Sequence, residues 1–487
     1  SKDDAQAAID GYVATLGITD DDTVYEDCSF IMQPQASMVI MDQTTGEVVA
    51  MIGGRGEKTA NKTLNRASDS LRNPGSTFKI VAAYAPAFEE LGYGPGTVLY
   101  DGPYAYSGAN SRLVKNWDKN TPYRGWTTIR EAITRSMNIM AVKTITDVTT
   151  PVAVDYLLRF GFTSLSLEGS NTDYGQATAL GGITNGVSNL ELTAAYAGIA
   201  NKGDYIKPRM YTKVVDNEGN VVLDNEPEET QVISEQNAWL LIDCMKDVVN
   251  GAGGTSGSAK ITNMTTAGKS GTTSENRDVW FVGMSPYYTA GIWVGYDNNG
   301  YKHELSSKAG ETSFHKKLWA KVMSRIHEGL ENKDFEKPSG IVQATICTKS
   351  GKLAVAGLCD SDGREGIVRN EYFAEGTVPT ETCDHHVIVN ICADTGLLAT
   401  SMCPNQVPQV KLLLPAMQEG VAEAVTQDTA YGISANLQAA TCTVHSGGVY
   451  VPSEYELSGS GAAGTAAPAQ DQGGAAAQES NEPAPIP

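Results

Sequence analysis

Asn73-Pro74-Gly75-Ser76-Thr77-Phe78-Lys79, followed at once by the apolar run Ile80-Val81-Ala82-Ala83-Tyr84-Ala85, is the stretch on which the fold turns. Pro74 and Gly75 stop the preceding element and an amphipathic run begins behind them, which places Ser76 at or next to a helix N-terminus. Lys79 stands three residues on, one turn away and on the same face. A serine hydroxyl is a poor nucleophile at neutral pH unless a base lies within hydrogen-bond reach, and a lysine amine on the same face can supply it. The helix start adds N–H groups and a positive dipole end where an oxyanion would form. A second Ser-x-x-Lys, Ser313-Phe314-His315-Lys316, reads as an exposed helix pair.

Working outward, residues 37–42 and 47–52 are β-rich runs around Gln43-Thr44-Thr45-Gly46, a hairpin. The helix from Ser76 ends near Leu91 with Gly92 as its stop, and Pro86 should bend it. Residues 93–126, rich in Gly, Tyr, Asn and Trp, read as a long loop lining something. A helix capped by Thr127 or Thr128 runs to Arg135, another spans 139–147, and helical patterns recur at 151–160, 189–201 and 235–250. Strands at 265–272, 279–284 and 289–296 with short connections make an antiparallel meander, and a helix at 312–327 follows. The class is therefore α+β, an antiparallel sheet flanked by helices. Its expected division is an N-terminal helix and linker at 1–36, the main domain at 37–335, a small cysteine-rich β module at 340–445, and a tail at 446–487. That tail is Ala, Gly, Pro, Gln and Ser from Ser458 on and reads as disordered.

The chain of 487 residues carries 36 basic against 57 acidic side chains, a net charge of -21, which argues against nucleic acid. No apolar run approaches the roughly 18 residues that cross a bilayer. The chain starts at Ser1 without a signal-peptide pattern, so the expectation is a soluble fragment whose membrane anchor lies elsewhere.

Of eight cysteines, five fall between Cys347 and Cys403. Cys347 and Cys359 flank Ser350-Gly351; Cys392 and Cys403 flank Thr395-Gly396. Two strands closed by a turn bring such pairs to bridging distance, so disulfides and an oxidising compartment are expected. Cys383 and Cys442 lack an assigned partner. Zinc competes at Cys383-Asp384-His385-His386, against the absence of a tight Cys-x-x-Cys pair. Cys28 and Cys244 read as buried free thiols. The module suggests a protein or wall-polymer contact, and its deletion is expected to spare the chemistry at Ser76.

Three motifs occur in order: Ser76-x-x-Lys79, Ser136-x-Asn138 between two helices, and Lys269-Ser270-Gly271-Thr272 on a strand. Decoys exist at Ser274-Glu275-Asn276, Ser434-Ala435-Asn436 and Lys349-Ser350-Gly351, but only the first set has this placement. Gly268-Lys269-Ser270 is not a phosphate loop, because Asn263 stands where glycine is needed and a strand follows. Gly-x-Ser-x-Gly is absent and no histidine is near these motifs in sequence, which disfavours a Ser-His-Asp arrangement.

The set resembles the signature of penicillin-binding proteins and class A β-lactamases. With Thr45 to Gly54, Thr134 to Ala141, Leu190 to Pro208 and Asp278 to Asp297, the chain over roughly 1–330 resembles the transpeptidase domain of class A (bifunctional) penicillin-binding proteins. The cysteine module is similar to the C-terminal extension of some clostridial-type members; the family's glycosyltransferase domain has no counterpart here. The resemblance implies D,D-transpeptidation of peptidoglycan stem peptides on the outer face of a bacterial membrane, with β-lactams as covalent inhibitors and with no metal or organic cofactor. Ser76 would attack, Lys79 would take its proton, Ser136 would relay a proton to the leaving amine and Asn138 would bond the donor peptide. Lys269 would supply positive potential; Ser270, Gly271, Thr272 and Thr273 would bind the substrate, with the N–H groups of Ser76 and Thr272 as oxyanion hole. The family usually has Thr at position 270. Gly268 and Gly271 would leave room for the peptide beside the strand.

Other readings share the first acylation. A β-lactamase needs a carboxylate that activates water, for which Glu168 in Glu168-Gly169-Ser170-Asn171 is the candidate, although that segment reads as a surface turn. A D,D-carboxypeptidase differs only in its acceptor. A β-lactam receptor or scaffold would acylate without cross-linking.

Overall fold

A computed structural model describes residues 2–25, 33–58, 60–108, 111–120, 123–297, 303–434 and 441–445. Cys28 and the 446–487 tail lie outside the described residues. In chain order the first part comprises α1 (Lys2–Val13), β1 (Gln35–Asp42), β2 (Val48–Ile52), α2 (Ala85–Glu90), β3 (Val98–Asp101), β4 (Gly125–Thr128), α3 (Ile129–Thr134), α4 (Asn138–Val148), α5 (Thr150–Arg159) and α6 (Asn189–Ala200). Then follow β5 (Asp204–Ile206), β6 (Lys213–Val215), β7 (Val221–Asp224), β8 (Glu229–Gln231), α7 (Glu235–Asn250), β9 (Ala267–Thr272), β10 (Asp278–Met284), β11 (Tyr288–Gly295) and α8 (Phe314–Ile326). The C-terminal part holds β12 (Ile341–Cys347), β13 (Val368–Ala374), β14 (His386–Cys392), β15 (Gln406–Leu414) and β16 (Gly432–Ser434).

The fold is α+β. Its main sheet has the order β2-β1-β11-β10-β9, all antiparallel, so the N-terminal hairpin closes on the later meander through β1 and β11. Side chains alternate across a strand, and β1 uses both faces. Met38 and Ile40 pack with Phe281, Ile292, Trp319 and Met323, beneath α8. Val39 and Met41 pack with Ala194 and Ala197 of α6 on the other side. A sheet buried on both faces accounts for the near-continuous apolar text of β10, every residue of which is buried. The largest apolar cluster runs from Phe78 through α3 to α7 and up to Trp280 and Trp293. α1 contributes Ala8 and Tyr12 to no such core, since both are exposed.

Several expectations need correction. Residues 93–126 are not all loop, since β3 pairs with β4 from Val98↔Thr128 to Asp101↔Gly125. Trp126 and the β-branched pair Thr127-Thr128 supply that strand. The bend expected at Pro86 takes the form of a π-helical turn at Ile80–Tyr84 just before α2; proline offers no N–H to continue the i→i−4 ladder there.

The cysteine-rich part is packed directly on the main body. Arg130 of α3 is bound by Glu371 of β13 through Nε–Oε2 at 2.8 Å and Nη2–Oε1 at 2.7 Å, and by Asp243 and Asp247 of α7. Tyr372 sets its ring edge against Trp239, centroids 5.1 Å apart. Further along, Asp428 accepts from the Trp126 N–H at 2.6 Å and the Trp126 indole donates to the Leu413 carbonyl. β4 and α3, which lead into Ser136, are thus held from outside by both halves of this part. That placement is at odds with a dispensable appendage.

Candidate active site

Ser76 lies in a single 3-10 turn, Gly75–Thr77, at the mouth of the helical run. The turn is pinned from below: Tyr196 OH donates to the Thr77 carbonyl at 2.6 Å and the Trp280 indole to the Asn73 carbonyl at 2.9 Å. It also lies against β9, the free edge of the sheet. Gly75 has φ +56, where a Cβ would stand 2.8 Å from the Thr272 carbonyl oxygen. A Cβ on Gly271 would meet the Pro74 carbonyl oxygen at 2.4 Å. Gly271 therefore allows the nucleophile's turn to lie on the strand; a Cβ on Gly268 would meet Phe281 and Val282.

Lys79 points inward, fully buried. Its Nζ donates to the Ser136 carbonyl at 2.6 Å and to Asn138 Oδ1 at 2.7 Å, and lies 3.3 Å from Ser136 Oγ. Lys269, also fully buried, donates to Ser136 Oγ at 2.7 Å and to the Ser270 carbonyl at 3.1 Å. Two lysines thus flank one serine hydroxyl. Burial, and after it the charge of Lys269, pushes the Lys79 amine well below the ordinary lysine range. Burial and then the Lys316 charge bring Lys269 down to about 7. Ser136 sits between α3 and α4 at φ +55, sparsely used by residues other than glycine, a strain that the contacts from both lysines over-determine. Asn138 is fixed by its Nδ2 donating to the Lys115 carbonyl at 2.7 Å and by its N–H donating to Asn116 Oδ1 at 2.8 Å.

Ser76, Ser136, Asn138, Ser270, Thr272 and Thr273 all line one cavity of about 620 Å³. The Lys79 amine bonds Ser136 and Asn138; among the described residues it makes no hydrogen bond to Ser76, which the sequence places one turn away. Ser270 Oγ is 3.1 Å from Thr255 Oγ1, and Thr273 Oγ1 accepts from the Asp278 N–H at 2.9 Å.

Sequence reasoning gave 93–126 as a segment lining something but named none of its residues, and it missed the wall supplied next to α8. Tyr106, Arg112 and Trp117 line the cavity from the segment after β3, and the Trp117 indole donates to the Arg135 carbonyl at 2.7 Å. Thr312, His315 and Lys316 line it too, so the second Ser-x-x-Lys is no plain surface pair: Ser313 is exposed, but His315 is buried and Lys316 reaches the Thr255 carbonyl at 2.9 Å. The decoy residues Ser274 and Asn276 stand on the rim. His315 is held neutral, near 3, first by burial and then by the Lys316 charge, so it offers no imidazolium. Glu168 is exposed on its turn, outside the lining. Among the described residues no carboxylate lines the cavity, whereas Arg112 and Lys316 do. Such a wall suits an anionic ligand and offers no carboxylate to activate water.

The family model for the penicillin-binding protein transpeptidase domain matches residues 36–323, and that for the penicillin-binding protein 1A C-terminal domain matches residues 337–388. The chain belongs to the penicillin-binding protein transpeptidase family. Penicillin-binding protein 1A of Clostridium tetani is 35% identical over 398 residues, covering 79% of this chain and 48% of the relative. Penicillin-binding protein 1A/1B of Bacillus subtilis is 30% identical over 380 residues, 74% and 39% respectively. The chain therefore spans about half the length, or less, of these relatives. Among solved structures, penicillin-binding protein 1A of Haemophilus influenzae superposes with a TM-score of 0.59 at 24% identity, covering 72% of this chain and 54% of that one. PonA1 of Mycobacterium tuberculosis in complex with penicillin V gives 0.54 at 23% identity, 69% and 86%. These likenesses bear on the fold.

Proposed function

We propose that this chain is a serine D,D-transpeptidase that cross-links peptidoglycan stem peptides through an acyl-enzyme on Ser76. The observation carrying the proposal is the buried Lys79 amine, its charge disfavoured by desolvation and by Lys269, lying against Ser136 and one helical turn behind a cavity-facing serine. Ser76 Oγ attacks the carbonyl between two D-alanines as Lys79 takes its proton. Ser136, bonded by both lysines, passes a proton to the departing amine of the terminal D-alanine. The N–H groups of Ser76 and Thr272, on adjacent backbones, hold the oxyanion. Lys269, Lys316 and Arg112 make the cavity positive for the terminal carboxylate, with Ser270, Thr272 and Thr273 as hydroxyl donors. The amine of a second stem then attacks the ester and frees Ser76. A β-lactam mimics the donor and stops at the ester; the structural neighbour PonA1 was solved in complex with penicillin V. The place of work is the outer face of a bacterial membrane.

A fluorescent penicillin tests the reading. Labelling should be stoichiometric, persistent and lost in Ser76→Ala, and a D-Ala-D-Ala stem mimic with an amine acceptor should release D-alanine and gain the acceptor. Rapid loss of label with drug hydrolysis would mean a lactamase. D-alanine release without acceptor capture would mean a carboxypeptidase, and labelling with no turnover of the stem mimic a receptor.

A further inference from the structure

The expected disulfides are not what the described residues form. All six module cysteines are free, and they gather in threes, each three with one histidine. Cys347, Cys359, Cys383 and His386 form one group, Cys392, Cys403, Cys442 and His445 the other, and the ligand atoms of each group lie within 4.8 Å of one another. A disulfide between any two sulfurs would strand the third beside an imidazole. That arithmetic, repeated twice, is the physical reason for the correction.

The geometry points to two structural Cys3His zinc sites in residues 347–445. In the first group His386 Nδ1 is 3.4 Å from the sulfurs of both Cys347 and Cys383; in the second His445 Nδ1 is 3.5 Å from Cys392 and 3.4 Å from Cys442. A tetrahedral zinc with Zn–S of about 2.3 Å and Zn–N of about 2.0 Å sets sulfur and nitrogen about 3.5 Å apart. Spacing this tight encloses one ion and leaves no room for a multi-iron cluster. In both groups the other imidazole nitrogen faces a carboxylate. His386 Nε2 lies 2.8 Å from Asp362, and His445 Nε2 lies 3.6 Å from Asp394. The bonded Asp362 fixes the tautomer that turns His386 Nδ1 to the metal. Backbone N–H groups point at the sulfurs, from Lys349 to Cys347, Val355 to Cys359 and Thr400 to Cys403, at 3.2 to 3.4 Å.

The two groups are one design used twice. Each first cysteine ends a strand and turns through a glycine of positive φ, Gly351 or Gly396. Leu353 bridges back to Ile346 and on to Thr382, and Leu398 bridges to Ile391 and on to Thr441. Each repeat closes with Cys-x-x-His, Cys383 to His386 and Cys442 to His445. This tight pair answers the sequence-based objection to zinc, which looked only for Cys-x-x-Cys. β14 carries His386 at one end and Cys392 at the other, joining the sites. From the first site a chain of bonds leads to the active-site support: His386 to Asp362, Asp362 to Arg364, Arg364 to Asp428, and Asp428 to the N–H of Trp126 on β4.

The test uses the full chain purified without chelator, with zinc measured by elemental mass spectrometry and thiols by alkylation after denaturation. Two zinc ions and no cross-link among the six cysteines are expected per chain, falling to one ion in Cys383→Ser and to one in Cys442→Ser. Should these variants fail to fold, cobalt exchanged into the unaltered chain gives an independent reading, since tetrahedral thiolate sites produce sulfur-to-cobalt charge-transfer bands. A zinc-free chain with Cys347 bonded to Cys359 and Cys392 to Cys403 overturns the proposal, as does stoichiometric iron. One zinc in the unaltered chain overturns whichever site its cysteine variant leaves unaffected.

Discussion

Replacing Glu371 probes how the C-terminal part is joined to the active site. Glu371 and Arg130 meet through two charge-assisted bonds, their side chains only 1% and 5% exposed. Breaking a buried ion pair costs about 3–5 kcal/mol when the remaining charge is stranded. In Glu371→Gln, Arg130 is not stranded, because Asp243 at 2.6 Å and Asp247 at 3.0 Å stay in place, and the amide still accepts one bond. The expected loss is about 2 kcal/mol. Arg130→Met is worse. Glu371 keeps only Arg369, 3.5 Å away and 47% exposed, among its described cation partners, so about 4 kcal/mol is expected. The double variant should lose less than the sum of the two, by about 2 kcal/mol, since the charges are removed together. Guanidinium chloride unfolding of the full chain gives these differences, and the penicillin-labelling rate of the folded variants should fall because α3 positions Ser136. Strictly additive losses, or a Glu371→Gln chain as stable as the parent, would refute the reasoning.

Gly271→Ala should slow penicillin labelling by about fivefold to about a hundredfold, because its Cβ would lie 2.4 Å from the Pro74 carbonyl and must push the Ser76 turn off the strand at a cost of about 1–3 kcal/mol; an unchanged rate contradicts this. A chain ending at residue 335 should lose both near-ultraviolet circular dichroism and labelling, since Ile341, Tyr372 and Ala374 pack against the main apolar cluster. A labelled, well-folded fragment would restore the sequence-based expectation that the module is separable. Lys269 titrates in the folded state at about 7, so from there up to the ordinary lysine range the unfolded chain holds a proton that the folded one has released. Stability from this group therefore rises with pH across that window. Lys269→Met should show a flatter rise in denaturant titrations between about pH 7 and about pH 9, and an identical slope would contradict the assignment.

Much of the fold was legible because its signals are local. The hairpin around Gln43–Gly46 and the meander of β9–β11 announce themselves by short turns and apolar runs, and Thr128 caps α3 as its position suggests, accepting from the Glu131 N–H. The three motifs, far apart in sequence, meet at one cavity as their resemblance implied. What stayed hidden depends on contacts between distant segments. Trp117, His315 and Lys316 have no local mark that aims them at Ser76, and the burial of His315 follows only from the packing of α8. The approach of the Pro74 carbonyl to Gly271 was not legible because a glycine in a strand does not say which backbone lies over it. The cysteines misled for the same reason: adjacent pairs are visible in the chain, whereas the third sulfur arrives through the parallel bridges of Leu353 to Thr382 and Leu398 to Thr441.

The most direct measurement is mass spectrometry of the folded chain after exposure to a penicillin, followed by trypsin digestion. Cleavage after Arg72 and Lys79 isolates Asn73–Lys79 with Ser76 as its nucleophile. A single drug mass on that peptide, absent in Ser76→Ala, is the predicted result. A folded chain that gains no mass, or gains it on another peptide, would contradict the account.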